Sequence, residues 1–177
     1  MVKLEKRLKS AIRDVVDFPK NGIVFKDITP LLADPVLNRE VLEAFVKQAK
    51  ELKSDLIVGI DSRGFLYGNG IAMNCNVSFS PIRKKGKLPY KSIQESYALE
   101  YGSATLEMHT DAVLKGQRVI IHDDLLATGG TALAAAKLVE RLGGVVVGFS
   151  FIIHLSFLNG HKKLFEKSEN LFAIATY

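Results

Sequence analysis

VIIHDDLLATGGT, residues 119–131, is the stretch on which the reading of this chain turns. Val119, Ile120 and Ile121 are β-branched and apolar, which suits a parallel strand buried on both faces. Asp123 and Asp124 place two carboxylates where that strand is expected to end. Ala127, Thr128, Gly129, Gly130 and Thr131 then form a turn of small residues. Residues 132–142 follow with Leu133, Lys137, Leu138 and Leu142 on helical spacings. The pattern is a strand, an acid pair, a tight turn and a helix start.

The chemistry follows from the backbone. Glycines allow the chain to fold tightly and leave amide N–H groups uncovered, and a helix N-terminus adds about half a positive charge of dipole. Together these make a cradle for an anion, best suited to a phosphate. It is not a Walker A loop, which needs lysine and then Ser or Thr after its last glycine, whereas here Gly130 leads into Thr131-Ala132. A dinucleotide fingerprint is excluded too, because GxGxxG spacing is found neither here nor at Gly68-Asn69-Gly70. Two carboxylates just upstream of a phosphate cradle can bond the vicinal hydroxyls of a ribose whose 5-phosphate sits in the turn, directly or through a divalent cation. The alternative on these residues alone is an ordinary strand-to-helix connection with exposed acids.

At 177 residues the chain is expected to form one domain, large enough to bury about 70% of the surface its unfolded form exposes. A single cysteine, Cys75, cannot form an internal disulfide, and its neighbours show no metal-ligand spacing. The N-terminal MVKLEKRLKSAIRD has no apolar signal core, and no run is long and apolar enough to cross a bilayer. The expectation is a soluble, cytoplasmic protein with no membrane partner. A net charge of +5 is compatible with nucleic acid and equally with a polyanionic small substrate.

Along the chain, Leu4, Leu8, Ala11, Ile12 and Val15 share a helical face, so residues 2–15 read as one amphipathic helix. Phe18-Pro19-Lys20-Asn21-Gly22 reads as a turn before the short apolar piece Ile23-Val24-Phe25, a segment expected to cap the regular fold. Residues 35–53 read as a helix entered after Asp34 with proline in its first turn. Residues 56–60 read as a buried strand ending in Asp61-Ser62-Arg63-Gly64, and residues 65–74 as the next helix. An esterase elbow at Ser62 fails because position 60 is Ile. The better reading is a second anion turn, with backbone amides, Ser62 and the forked guanidinium of Arg63 as donors. Residues 77–82 read as a strand before the basic run Arg83-Lys84-Lys85-Gly86-Lys87. Residues 88–103 show no clear period and read as a long irregular loop, of the kind that closes over sites. Residues 105–109, 145–153 and 171–175 read as strands, with a short helical piece at 160–166.

This alternation predicts an α/β fold: a three-layer domain with a mostly parallel twisted sheet and a small N-terminal cap. In such folds ligands sit at the carboxyl ends of strands, which brings the turns at 61–64 and 123–131 to one crevice. The histidines at 109, 122, 154 and 161 are scattered and do not suggest a metal cluster. His122 reads as a strand residue with a hydrogen-bond partner.

The strand, acid pair and Thr-Gly-Gly-Thr turn closely resemble the phosphoribosyl pyrophosphate signature of the type I phosphoribosyltransferase family. FPKNGIVFKDITPLL (18–32), GIDSRGFLYG (59–68), IRKKGKLP (82–89), SYALEYG (96–102) and DDLLATGGT (123–131) look like the segments of its adenine-specific members, in their order. The likeness spans nearly the whole chain. It implies transfer of a phosphoribosyl group from 5-phosphoribosyl 1-pyrophosphate to adenine, giving AMP, with Mg²⁺, a homodimer and a place in purine salvage. By the same resemblance the backbone at Val24, Phe25 and Lys26 reads the base and Leu125 packs on it. Glu100 assists proton transfer and Tyr101 helps a mobile lid over 83–103 to close. Arg63 and Lys87 stabilise the leaving anion, and Ala127 to Thr131 hold the 5-phosphate. The metal is held by substrate and water rather than by a protein cage. Another purine base, or a nucleic-acid-binding regulator that senses phosphoribosyl pyrophosphate, is the alternative; the chain leaves no room for an added helix-turn-helix domain, so no nucleic acid is expected. Asn21 stands where many relatives carry proline, Lys26 where arginine is frequent, and His122 where an aliphatic residue is usual.

Overall fold

The structure is a computed structural model that describes residues 2–98 and 102–177. Its centre is a seven-stranded sheet in the order β5-β6-β4-β3-β7-β8-β9. The strands are β3 (Leu56–Ile60), β4 (Ser78–Lys84), β5 (Ser92–Ala98), β6 (Ser103–His109), β7 (Arg118–Leu126), β8 (Val145–His154) and β9 (Leu171–Thr176). The five strands from β4 to β9 in that order run parallel, and the β5–β6 hairpin is antiparallel at one edge. The helices are α1 (Val2–Ala11), α2 (Thr29–Ala33), α3 (Pro35–Glu51), α4 (Gly64–Cys75), α5 (Gly130–Arg141) and α6 (Gly160–Leu164).

The parallel strands are apolar on both faces and carry a core on each, which makes the fold three layers as expected. On one face Val58, Ile60, Val119 and Ile121 pack against Ala135, Leu138 and Val139 of α5. On the other, Ile57 and Ile120 meet Leu8 of α1, Val41 and Phe45 of α3, and Tyr67 and Ile71 of α4. Asp34 caps α3 as its sequence predicts, its carboxylate accepting from Val36 N and Leu37 N at 3.0 Å each. No described helix is long and apolar enough to cross a membrane.

The structure corrects three expectations. The first helix stops at Ala11, and residues 13–16 form strand β1 (Arg13–Val16), antiparallel to β2 (Val24–Asp27). Ile12 and Val15 fit a helical face, but the turn between them and Phe25 lets the backbone pair instead: Asp17 adopts φ 59° and Gly22 φ 85°, and the Asp17 carboxylate accepts from Gly22 N at 2.7 Å. Residues 88–103 are not one irregular loop, because β5 occupies 92–98 and pairs residue by residue with β6. Ile93 and Tyr97 face the core while Gln94 and Ser96 face solvent. That alternation is hidden in the sequence because the inward position between them is charged Glu95, which meets Lys137 (3.1 Å) and Arg141 (3.3 Å) of α5. Finally, β7 runs past the acids to Leu126, because β8 is long enough to pair with it as far as His154.

Candidate active site

The crevice lies at the carboxyl ends of β3 and β7. A cavity of about 210 Å³ is lined by Arg63, Asp123, Asp124, Leu125, Leu126, Ala127, Thr128, Gly129, Thr131, Ala132 and Phe151. Three wider hollows, about 420 Å³ between α3 and α4, about 400 Å³ on α1 and about 430 Å³ between α1 and α3, are open grooves walled mainly by charged surface side chains. The smaller cavity is the one that holds buried chemistry.

The phosphate turn is shaped by two glycines from distant segments. Gly129 adopts φ 78°, a left-handed conformation that side chains disfavour, and it starts α5 with no side chain capping its amides. The N-terminal amides of a twelve-residue helix therefore open towards the cavity. Beneath the turn lies Gly160, where a Cβ would collide with the Ala127 carbonyl and stand 2.7 Å from Gly129 N. Gly160 thus supports the turn from below by having no side chain.

Of the acid pair, Asp124 is buried and Asp123 is partly exposed to the cavity. Asp124 is 4% exposed, and its Oδ2 has one charged neighbour, Arg63 Nε at 3.0 Å, in an ion pair without hydrogen-bond alignment. Asp123 Oδ1 accepts from Asp124 N at 2.9 Å. Burial pushes both carboxyls above the ordinary 3.8; repulsion by Asp124 pushes Asp123 further up, and Arg63 pulls Asp124 partly back. Asp124 Oδ2 is buried with no hydrogen-bond partner among the described residues, and both carboxyls are raised, which suits sugar hydroxyls or a hydrated cation.

A stability prediction follows. A carboxyl with a raised folded pKa keeps its proton where the unfolded chain has lost it, so stability falls as pH rises from the ordinary carboxylate range through the raised value. Asp123→Asn removes that penalty. The ligand-free variant is expected to melt above the native protein at pH 7, the gap closing towards pH 4, while its affinity for phosphoribosyl pyrophosphate drops in calorimetry. A lower melting temperature at pH 7 would rule out strain in the pair.

Arg63 bridges two parts of the site. Besides Asp124, its guanidinium lies 4.9 Å from the Phe25 ring, so the cap touches the ribose side through this residue. β2 pairs along one backbone edge with β1, the two forming a separate two-stranded sheet. Val24, Phe25 and Lys26 do not line the cavity itself. The Lys26 ammonium points away from the cavity, to Asp14 at 2.6 Å and over the Tyr177 ring at 4.1 Å. Ser62 is exposed at the entry to α4, outside the cavity lining. Gly64 lets α4 approach β7, since a Cβ there would meet the His122 carbonyl at 2.6 Å.

His122 is fully buried, bonded through Nδ1 to the Ser150 hydroxyl at 2.9 Å and packed edge-on to Phe45. Burial pulls its pKa down to about 3, so it is a neutral core residue. Among the described residues no group of three or more His, Cys, Asp or Glu is placed to hold a metal.

Lys87 does not line the cavity and lies on the turn after β4. Its ammonium is 3.6 Å from Asp61 Oδ2, which also accepts from Arg83 Nε at 3.2 Å. Burial alone would raise the Asp61 pKa, but the bond from Arg83 and the nearby cations bring it below its ordinary value. Arg83, Asp61, Gly160 and Phe151 were not singled out from sequence. The nearest signal was the basic run itself, which does not say which of its cations turns inward. Glu100 and Tyr101 lie outside the described residues. The end of β5 is close to the 127–131 turn: a Cβ on Gly130 would stand 3.4 Å from Tyr97 and 3.6 Å from the Ala98 carbonyl.

The phosphoribosyl transferase domain family matches residues 28–172. An adenine phosphoribosyltransferase of Cytophaga hutchinsonii is 55% identical over 161 residues, 91% of this chain and 89% of its own. The crystal structure of adenine phosphoribosyltransferase from Rhodothermus marinus superposes with a TM-score of 0.94 at 48% identity, covering 100% of each chain. That of the Saccharomyces cerevisiae enzyme, complexed with an imino-altritol bisphosphate and adenine, gives 0.92 at 38% identity over 98% of this chain and 99% of its own. With a phosphate turn, an acid pair and a bridging arginine in one crevice, and with these relatives alongside, the chain belongs to the adenine phosphoribosyltransferases.

Proposed function

We propose that the protein transfers the phosphoribosyl group from 5-phosphoribosyl 1-pyrophosphate to adenine, giving AMP and pyrophosphate. The observation that carries the reading is the α5 N-terminus opening onto a cavity walled by the Asp123–Asp124 pair. A purine nitrogen attacks the anomeric carbon as its bond to pyrophosphate breaks, and the sugar develops oxocarbenium character. Catalysis is then mainly the placing of charge.

The 5-phosphate lies on Ala127, Thr128, Gly129, Gly130 and Thr131, and the ribose hydroxyls on Asp123 and Asp124. Ser62, Arg63 and Lys87 receive the pyrophosphate. The backbone of β2 at Val24, Phe25 and Lys26 reads the base, and Leu125 packs on it. Glu100 handles the purine proton, and Tyr101 helps exclude water, a competing nucleophile. The two raised carboxyls and the poorly satisfied Asp124 Oδ2 fit a hydrated Mg²⁺ held mostly by substrate oxygens and water. When bound, the ion neutralises pyrophosphate charge and orients the ribose.

The whole chain, 1–177, acts as a single domain, with about 1–34 as a base-side cap and the 83–103 segment, which carries the β5 strand, lying over the site. Family resemblance further supports a homodimer, a cytoplasmic location and a role in purine salvage.

The test is a base panel: adenine, hypoxanthine, guanine and xanthine are each supplied with phosphoribosyl pyrophosphate and Mg²⁺, and pyrophosphate release is followed. Adenine is expected to be preferred by a factor on the order of 10² or more, the discrimination that hydrogen-bonded readout of a base edge can supply. Equal or faster turnover of an oxopurine would overturn the assignment of the base.

A further inference from the structure

Among the described residues Glu107 is a buried carboxylate outside the acid pair. It lies on β6, is 3% exposed, and sits between the apolar Leu106 and Met108. Removing a charge from water here is costly and needs compensation. Oε1 accepts from the backbone N–H groups of Lys87 (2.9 Å) and Leu88 (3.0 Å), and Oε2 faces the Ser92 hydroxyl at 3.4 Å. Burial alone would raise its pKa, but donors from Leu88, Lys87, Gly86 and Ser92 together bring it below the ordinary carboxylate range. The carboxylate is therefore an internal anion seated in the turn between β4 and β5.

That turn carries Lys87. It is tied at its start by Lys85 N to the Thr105 carbonyl (3.0 Å) and at its end by Thr110 N to the Lys91 carbonyl (3.0 Å). Between those ties Gly86 turns with φ 83°, and the Lys87 and Leu88 amides are held by the Glu107 carboxylate. The amide it holds belongs to the same residue whose ammonium reaches Asp61 beside Ser62 and Arg63. The Lys87 carbonyl also faces Arg83 Nη1 at 3.4 Å.

We propose that Glu107 is a positioning residue for the pyrophosphate half of the site, holding the turn in the shape that delivers Lys87 to the crevice. This rests on the reading of Lys87 as a contact of the leaving anion. A lysine on an untethered, glycine-containing turn samples many positions, and anchoring its backbone removes that entropy before the substrate arrives.

The experiment is steady-state kinetics with each substrate varied in turn, on the native protein, Glu107→Gln, Lys87→Ala and the double variant, with melting temperatures recorded alongside. Glu107→Gln is expected to raise KM for phosphoribosyl pyrophosphate about tenfold, the scale of one charge-assisted contact, and to leave KM for adenine within about twofold. Lys87→Ala is expected to raise the same KM, and the double variant to be no worse than Lys87→Ala alone beyond about twofold, because two residues acting as one unit do not add. Glu107→Asp, with its carboxylate withdrawn by one methylene, falls between. A native KM in Glu107→Gln, a loss shared equally by both substrates, or multiplicative effects in the double variant would overturn the proposal. If Lys87→Ala raises KM and Glu107→Gln does not, the positioning role alone falls; if Lys87→Ala changes nothing, the leaving-anion reading falls with it. Should Glu107→Gln fail to fold, Glu107→Asp carries the same comparison.

Discussion

Arg63→Ala is expected to lower kcat/KM by about 10²–10³, the 2–4 kcal/mol that one charged hydrogen bond to a transition state typically supplies. The structure adds a second consequence. Arg63 is the cation beside Asp124, and it is the largest of the influences that offset the burial of that carboxyl, ahead of the bonds from Asp123 and from the Asp124 and Leu125 amides. Without it the Asp124 pKa rises further, so the acidic limb of the pH–activity profile should move to higher pH as well as the plateau falling. Arg63→Lys should recover only part of the loss, because an ammonium does not fork onto phosphate oxygens and cannot spread over the Phe25 ring as the guanidinium 4.9 Å from it can. Purified, folded Arg63→Ala with near-native turnover would remove this residue from the mechanism.

Gly160→Ala should be almost as damaging, although residue 160 is remote in sequence from the phosphate turn and has no functional group to lose. The added methyl would occupy the space of the Ala127 carbonyl and crowd Gly129 N at 2.7 Å and Thr128 C at 2.8 Å, all of them backbone. Neither α6 nor the turn can yield without displacing the amides that start α5. Overpacking of this kind costs about 1–3 kcal/mol, which for a domain of this size lowers Tm by roughly 2–12 °C. The functional loss should exceed the stability loss: a 1 Å misplacement of a positioning group costs on the order of 10² in rate, and here it should appear chiefly as a higher KM for phosphoribosyl pyrophosphate. Unchanged KM with a lowered Tm would show that the turn is held by other contacts.

Both predictions concern residues whose importance is read from different places. Arg63 was legible from sequence as a forked cation after a buried strand, next to a glycine. Its pairing with Asp124 and its stacking on Phe25 were not, because three separate segments meet there. Gly160 gave no signal at all, since one glycine before a short helix has many ordinary explanations. Glu107 reads in sequence as one polar residue in a strand-like stretch, and only the turn folded across it shows why a charge is buried there.

The errors have the same origin. Residues 13–16 carry a helical spacing that lost to pairing with β2, and residues 92–98 conceal a period-two strand because the inward Glu95 is neutralised by Lys137 and Arg141 from α5. In each case local propensity was a weak preference that a partner distant in sequence outweighed.

By itself the sequence determined the layered α/β architecture, the phosphate turn at the head of α5 and the acid pair before it. These depend on strand apolarity, glycine stereochemistry and helix amides, which act within a few residues. Tertiary structure alone decided which acid each cation meets, which glycine supports the turn and which buried carboxylate shapes the basic loop. Those contacts are fixed by the order of strands in the sheet, and the cost of burying a charge can be judged only once the groups that surround it are known.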